Sequence, residues 1–241
     1  MTCAIERSNN QLIASGGLDN ICSIHEIGTD RAVVELQGHD GYLSSCAFVE
    51  KSTILTASGD STCIVWDINK GQDIHRFTDH GGDIMTLSVH PTNRNIFVSG
   101  SCDTTAKVWD LRVGKCIQTF IGHEGDINAI KFMNNGLSFG TGSDDSSIKI
   151  FDLRSYARIN EMGNEAVVCG VTGIDFSLSG RIIFAGYDDS NCLGWDTLLE
   201  NSPDPVYGLV GHTNRVSCVG VNPSGQAICT GSWDSELAIW A

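Results

Sequence analysis

Basic residues are scarce in this chain: 15 Lys and Arg stand against 29 Asp and Glu, a formal net charge of −14 over 241 residues. So acidic a surface repels phosphate backbones and anionic headgroups, which argues against nucleic acid as a ligand. The surplus of carboxylates names no partner, since it also serves solubility. No apolar run reaches the length of a membrane-spanning helix, and Met1-Thr2-Cys3-Ala4-Ile5-Glu6-Arg7 lacks the apolar stretch of a signal peptide. The expected location is therefore the cytoplasm, without direct insertion into a membrane. Glycine-rich phosphate loops, nucleophile elbows, CxxC pairs and His at metal-ligand spacing are missing too, so neither enzyme chemistry nor a cofactor nor a metal is expected. The 10 cysteines are scattered, several of them inside apolar runs such as Thr62-Cys63-Ile64-Val65-Trp66, and are expected to be buried thiols in a reducing compartment. Only 4 prolines occur, and 27 glycines are spread out rather than pooled in a linker, so a single domain over 1–241 is expected.

What is present is a repeat. Two small residues, an Asp and, six residues later, an aromatic recur along the chain: Asp60 with Trp66, Asp103 with Trp109, Asp145 with Phe151, Asp189 with Trp195 and Asp234 with Trp240. A degenerate first copy has Asp19 with His25. The aromatic positions 25, 66, 109, 151, 195 and 240 are 41, 43, 42, 44 and 45 apart, the period of a four-stranded propeller blade. Six repeats follow, at about 1–37, 38–78, 79–121, 122–162, 163–210 and 211–241.

A His precedes most of these Asp residues at nearly constant distance: His39, His80, His123 and His212 lie 21, 23, 22 and 22 residues before Asp60, Asp103, Asp145 and Asp234. A His leading into the innermost strand can bond the Asp of the turn between the second and third strands. A hydroxyl can then join that pair to the Trp indole N–H, so that buried polar groups are satisfied. Ser58, Ser101, Ser143 and Ser232 are candidates for the hydroxyl, with Thr56, Ser99, Thr141 and Thr230 left open as alternatives. In the fifth copy Asn164 stands where the His is expected. Together these positions form the WD-repeat signature.

Short β-branched and aromatic runs such as Ile64-Val65-Trp66, Asn95–Val98, Ala129–Phe132 and Gly180–Phe184 read as strands, and helical periodicity is nowhere sustained. Asn134-Asn135-Gly136, Ser179-Gly180 and Pro223-Ser224-Gly225 read as hairpin turns between first and second strands. The fold class is all-β, a WD-repeat β-propeller with six repeats of a seven-bladed architecture. Its last copy stops at the third strand, and an unpaired edge of that kind predicts aggregation or chaperone dependence for the isolated chain.

Segments that blade geometry does not demand carry a narrower resemblance. Gly16–Ile24, Ser58–Cys63, Gly122–Ile130, Ala185–Asp189, Asn214–Cys218 and Thr230–Ser235 make the chain resemble the β subunit of heterotrimeric G proteins, from Met1 to Ala241. The resemblance implies a non-catalytic transducer in G protein-coupled receptor signalling. Its narrow propeller face would bind a GDP-bound α subunit and, after release, effectors and phosducin-like regulators. Lipidated partners would hold it peripherally at the inner face of the plasma membrane. A γ subunit is implied as well, although the N-terminal helix and first blade that family members use against γ have no counterpart here.

Carried over position by position, the partner face would include Tyr42, Asp83, Asp126, Asn128 and Arg215, which lead into innermost strands. It would also include Leu18, Cys102, Asp144, Asp188 and Trp233, which stand just before the turn Asp, and Met1, Asn20 and Met85. Apolar and aromatic residues rimmed by carboxylates and an Arg have the make-up of a binding hot spot. The His–Asp pairs and Trp66, Trp109, Trp195 and Trp240 read as structural. Trp233 lies in a turn, where an exposed indole has no packing role. In Asp144-Asp145 and Asp188-Asp189 the second residue holds the repeat position, which argues against paired carboxylates for acid–base work. A second reading is a generic WD-repeat adaptor, in ubiquitin ligation or ribosome-associated signalling.

Overall fold

The computed structural model describes residues 1–6, 11–163, 167–199 and 204–241. Asn164 lies outside the described residues. All regular structure among them is β, in six antiparallel sheets that are the blades of a WD-repeat β-propeller. The first blade is β1 (Thr2–Ile5), β2 (Leu12–Gly16), β3 (Ile21–Glu26) and β4 (Ala32–Gln37). The second is β5 (Leu43–Glu50), β6 (Thr53–Ser58), β7 (Cys63–Asp67) and β8 (Gln72–Phe77), and the third β9 (Ile84–Val89), β10 (Ile96–Ser101), β11 (Ala106–Asp110) and β12 (Lys115–Phe120). The fourth is β13 (Ile127–Phe132), β14 (Ser138–Ser143), β15 (Ile148–Asp152) and β16 (Ala157–Met162), and the fifth β17 (Val171–Phe176), β18 (Ile182–Tyr187), β19 (Cys192–Asp196) and β20 (Tyr207–Leu209). The sixth has three strands, β21 (Val216–Val221), β22 (Ile228–Ser232) and β23 (Leu237–Trp240). The chain forms two compact units, Met1–Thr119 and Phe120–Ala241.

Within the first unit, β1 packs on β5 and β5 on β9. Ala14, Cys22, Ile24 and Leu36 of the first blade meet Leu43, Ile54, Ile64 and Trp66 of the second. On the other side of that blade Leu55, Val65 and Phe77 meet Ile84, Phe97 and Trp109, with Phe77 edge-on to Trp109 at 5.2 Å. Both faces of β6 and β7 are thus covered, which is why successive side chains along them are buried without alternation. In the second unit Ile148, Ile150 and Met162 pack on Ile174, Phe176, Ile183 and Tyr187. There the repeat aromatic is Phe151, and it joins Phe120 and Phe139 at centroid distances of 5.3 and 5.4 Å.

The tight turns explain the recurring Asp. The residue after it has a left-handed backbone in all six copies: Asn20 (φ 64°), Ser61 (66°), Thr104 (66°), Ser146 (67°), Ser190 (76°) and Ser235 (69°). That conformation costs a non-glycine residue energy, and the Asp side chain supplies the compensation by accepting from the amide two residues on. Asp60 Oδ1 accepts from Thr62 N at 2.9 Å, and Asp103 and Asp145 do the same to Thr105 and Ser147. The Asp of each Trp-Asp pair, or of Phe151-Asp152, caps the next turn: Asp67 accepts from Asn69 N, Asp110 from Arg112 N, Asp152 from Arg154 N and Asp196 from Leu198 N.

Three sequence expectations need correction. Cys22, Cys46, Cys63 and Cys192 are buried, but Cys3, Cys218 and Cys229 are exposed and the other three half-buried. Gly180 belongs to the hairpin turn at φ 75°, not to the following strand. Trp66, Trp109 and Trp195 are core, whereas Trp240 is only half-buried, because no described strand pairs with the outer side of β23.

Candidate functional site

The His–Asp pairs form, and so does their link to the indole. In the second blade His39 Nδ1 meets Asp60 Oδ2 at 2.8 Å and His39 Nε2 meets Thr56 Oγ1 at 2.7 Å, while Trp66 Nε1 donates to the same Thr56 Oγ1 at 2.8 Å. Asp60 offers only acceptor oxygens, so Nδ1 carries the proton. The Thr56 hydroxyl then donates to Nε2 and accepts from the indole, and no donor or acceptor in the chain is wasted. The third blade repeats this with His80, Asp103, Ser99 and Trp109, and the sixth with His212, Asp234, Thr230 and Trp240. In the fourth His123 bonds Asp145 and Thr141, but Phe151 has no donor to add.

The bridging hydroxyl is thus the one four residues before the Asp, not the favoured Ser58, Ser101, Ser143 or Ser232. Those serines bond the Asp amide instead, as Ser58 Oγ does to Asp60 N at 3.1 Å. In the fifth blade Tyr187, fully buried, takes the place of the bridging hydroxyl and accepts from Trp195 Nε1 at 3.0 Å, and Asp189 bonds Asn191. Among the described residues no buried side-chain nitrogen or oxygen lacks a partner.

Electrostatics agree with a structural role. Burial would push the Asp60 carboxyl up, but bonds from His39, Thr62 and the Asp40 amide outweigh it and hold it well below the usual carboxylate range. Asp145 is held low in the same manner, and Asp103, against the same desolvation, lies at about 2 through Thr105, the Gly81 amide and His80. Burial lowers the His80 pKa, which keeps the ring neutral with a free acceptor for Ser99. Among the described residues no group of three or more His, Cys, Asp or Glu could hold a metal ion, and no helix is long and apolar enough to cross a membrane.

Of the candidate partner residues, Met85 lies in β9 and Asn128 in β13, and the others stand on the loops and turns of their blades. In five of the blades a backbone bond ties the two kinds of location together. Gly59 N donates to Tyr42 O, Cys102 N to Asp83 O, Asp144 N to Asp126 O, Asp188 N to Gly170 O and Trp233 N to Arg215 O, at 2.9–3.2 Å. The residue leading into an innermost strand and the residue before the turn Asp therefore share an edge.

Within the first unit Tyr42, Asp83 and Met85 meet: the Tyr42 hydroxyl lies 3.0 Å from Asp83 Oδ2 and 3.4 Å from Met85 Sδ. Cys102 is half-buried, whereas Leu18 and Met1 stand out into solvent at 79% and 72% exposure. Asn20 takes the left-handed turn position, which its residue type tolerates better than most. Within the second unit Asn128 Nδ2 donates to Asp144 Oδ1 at 2.5 Å and to Val171 O at 3.4 Å. Arg215 Nε lies 2.8 Å from Asp188 Oδ1, and its guanidinium carbon stands 5.2 Å from the centre of the Trp233 ring. Trp233 itself is 65% exposed. Asp126 is half-buried, and Asp144 and Asp188 are exposed.

Glycine clearance was not among the sequence expectations. A Cβ on Gly59 would overlap the Tyr42 ring, and one on Gly170 would lie 2.6 Å from Asp144 Oδ1. Neither has a left-handed backbone, so the constraint is one of space, tight at Gly59 against the Tyr42 ring and looser at Gly170, where the Asp144 carboxylate can move. Nothing in the sequence marks either one, since Gly59 follows Ala57-Ser58 and Gly170 follows Val168-Cys169.

The family model described as "G protein beta WD-40 repeat protein" matches residues 1–241. The chain is 53% identical over 245 residues to the guanine nucleotide-binding protein subunit beta of Dictyostelium discoideum, covering 100% of this chain and 69% of that protein. It is 43% identical to the protein of the same name from Oryza sativa subsp. japonica over 263 residues, and 42% identical to that of Zea mays, each time covering 69% of the relative.

Proposed function

Because the chain belongs to the G protein β WD-40 repeat family, we propose that it is a signalling scaffold whose ligand is a GDP-bound G protein α subunit. The observation that carries the reading is Trp233, an indole 65% exposed in a tight turn beneath the Arg215 guanidinium. Exposing an indole costs solvation and gains no packing, and aromatic anchors with a polar rim are what protein interfaces use. The Tyr42, Asp83 and Met85 cluster serves the same purpose in the first unit, with Cys102, Leu18, Asn20 and Met1 as further contacts. Asp126, Asn128, Asp144 and Asp188 supply the polar rim in the second.

Effectors and phosducin-like regulators compete for these residues once α is released, and a γ subunit binds elsewhere on the blades. The protein works in the cytoplasm, brought to the membrane surface by its partners. Chemistry is not part of the role: the His–Asp pairs are spent on holding turns, and Asp145 is engaged by His123.

The test is capture of the purified, monodisperse chain by a GDP-loaded α subunit, with and without γ. Capture that is lost when α carries a non-hydrolysable GTP analogue supports the scaffold. A folded monomer that ignores GDP-loaded α contradicts it and leaves the adaptor reading.

A further inference from the structure

Trp233 owes its place to a residue on another blade. Asp188 stands in the turn between β18 and β19, whereas Arg215 and Trp233 belong to the last blade. The chain of contacts runs from the Asp188 carboxylate to Arg215 Nε at 2.8 Å, and from the guanidinium to the indole at 5.2 Å. The backbone closes the loop, since Trp233 N donates to Arg215 O at 2.9 Å. We infer that Asp188 is a positioning residue, which holds Arg215 over Trp233 and so fixes the indole in the orientation a partner meets. The inference rests on the binding role proposed above.

An exposed ion pair contributes little stability by itself, and the Asp188 and Arg215 side chains are 42% and 38% exposed. Its effect here is geometric. A free indole at 65% exposure samples several rotamers, and binding would have to freeze them. A guanidinium laid on one face of the ring removes part of that freedom beforehand, and Asp188 keeps the guanidinium there. The neighbouring Asp189 holds the turn and bonds Asn191, which leaves Asp188 alone free for Arg215.

The experiment reads Trp233 in the full chain, as the difference in fluorescence between each protein and its Trp233→Phe counterpart. Asp188→Asn is expected to raise acrylamide quenching and lower the anisotropy of that component, and Asp188→Glu to restore both. Affinity for a GDP-loaded α subunit should weaken by about 2- to 12-fold in Asp188→Asn, the range set by freezing one side chain. Unchanged quenching and anisotropy in a folded Asp188→Asn overturns the inference. If the fluorescence changes as expected and the unsubstituted chain binds no α subunit, the positioning stands and the proposed function falls.

Discussion

Tyr42 and Asp83 stand on successive blades and are joined by one hydrogen bond, the phenol donating to Asp83 Oδ2 at 3.0 Å. The phenol can hold that geometry only because residue 59 has no side chain, since a Cβ on Gly59 would overlap the ring at Cε1 and Cδ1. A packing constraint in one turn thus sets a surface contact between two blades.

Gly59→Ala should therefore act on binding at a distance from any partner. The ring must swing away from Asp83, and affinity for GDP-loaded α should fall several-fold. Tyr42→Phe, which keeps the ring and removes the bond, should cost no more than about 1.5 kcal/mol of stability. Thermal melts with parallel titrations check both. Gly59→Ala with full affinity would show that Tyr42 does not matter to the partner.

The bridging hydroxyls make a graded prediction. Thr56→Val orphans two buried groups, His39 Nε2 and Trp66 Nε1, at a cost of about 2–4 kcal/mol. Thr141→Val orphans only His123 Nε2, because the aromatic there is Phe151, and should cost about 1–2 kcal/mol. Denaturant unfolding of the two variants, with Ser58→Ala for comparison, gives the order directly. Equal losses would mean that the indole bond contributes nothing.

Acid should unfold the protein through its turns. Asp103 is held at about 2 and Asp60 and Asp145 lower still, against an ordinary value near 3.9. A carboxyl depressed in the folded state binds fewer protons than it does unfolded, so its stabilisation is present above about pH 4 and is lost as pH falls toward 2. Calorimetry should show the melting temperature dropping across that window, and Asp103→Asn should flatten part of the drop. A melting temperature constant from pH 5 to 2 would contradict this.

Thiol labelling should divide the cysteines. Burial pushes Cys22, Cys46 and Cys192 up to about 12, 11 and 12, and raises Cys63 as well. Little thiolate forms in these four, and reagents cannot reach them. Iodoacetamide followed by peptide mass spectrometry should find Cys3, Cys218 and Cys229 labelled first, and the buried four only after denaturation.

The blades were legible because Asp, aromatic and His recur at spacings that strand length fixes. The hydroxyl was not. Thr56 and Ser58 are two apart on β6 and face the same side, so a pattern of period two cannot separate them. Only the depth of the indole decides, and it selects Thr56. Tyr187 hid for a related reason, since its phenol reaches the indole from two residues before the Asp, where the other blades use a hydroxyl four residues before it. The turn-capping role of the Asp after the repeat aromatic, from Asp67 to Asp196, leaves no mark in the sequence, because the residue pair reads the same whether or not its carboxylate bonds the next turn. On the surface, Trp233 stood out by being an aromatic in a turn, whereas the pairing of Asp188 with Arg215 joins loops 27 residues apart in sequence and leaves no trace in either.

The most direct measurement is calorimetric titration of a GDP-loaded α subunit into the unsubstituted chain and into Trp233→Ala and Asp83→Ala, each first shown to melt at the same temperature. The account predicts that the unsubstituted chain binds and that both substitutions abolish the signal. Undiminished binding by both folded variants would contradict it.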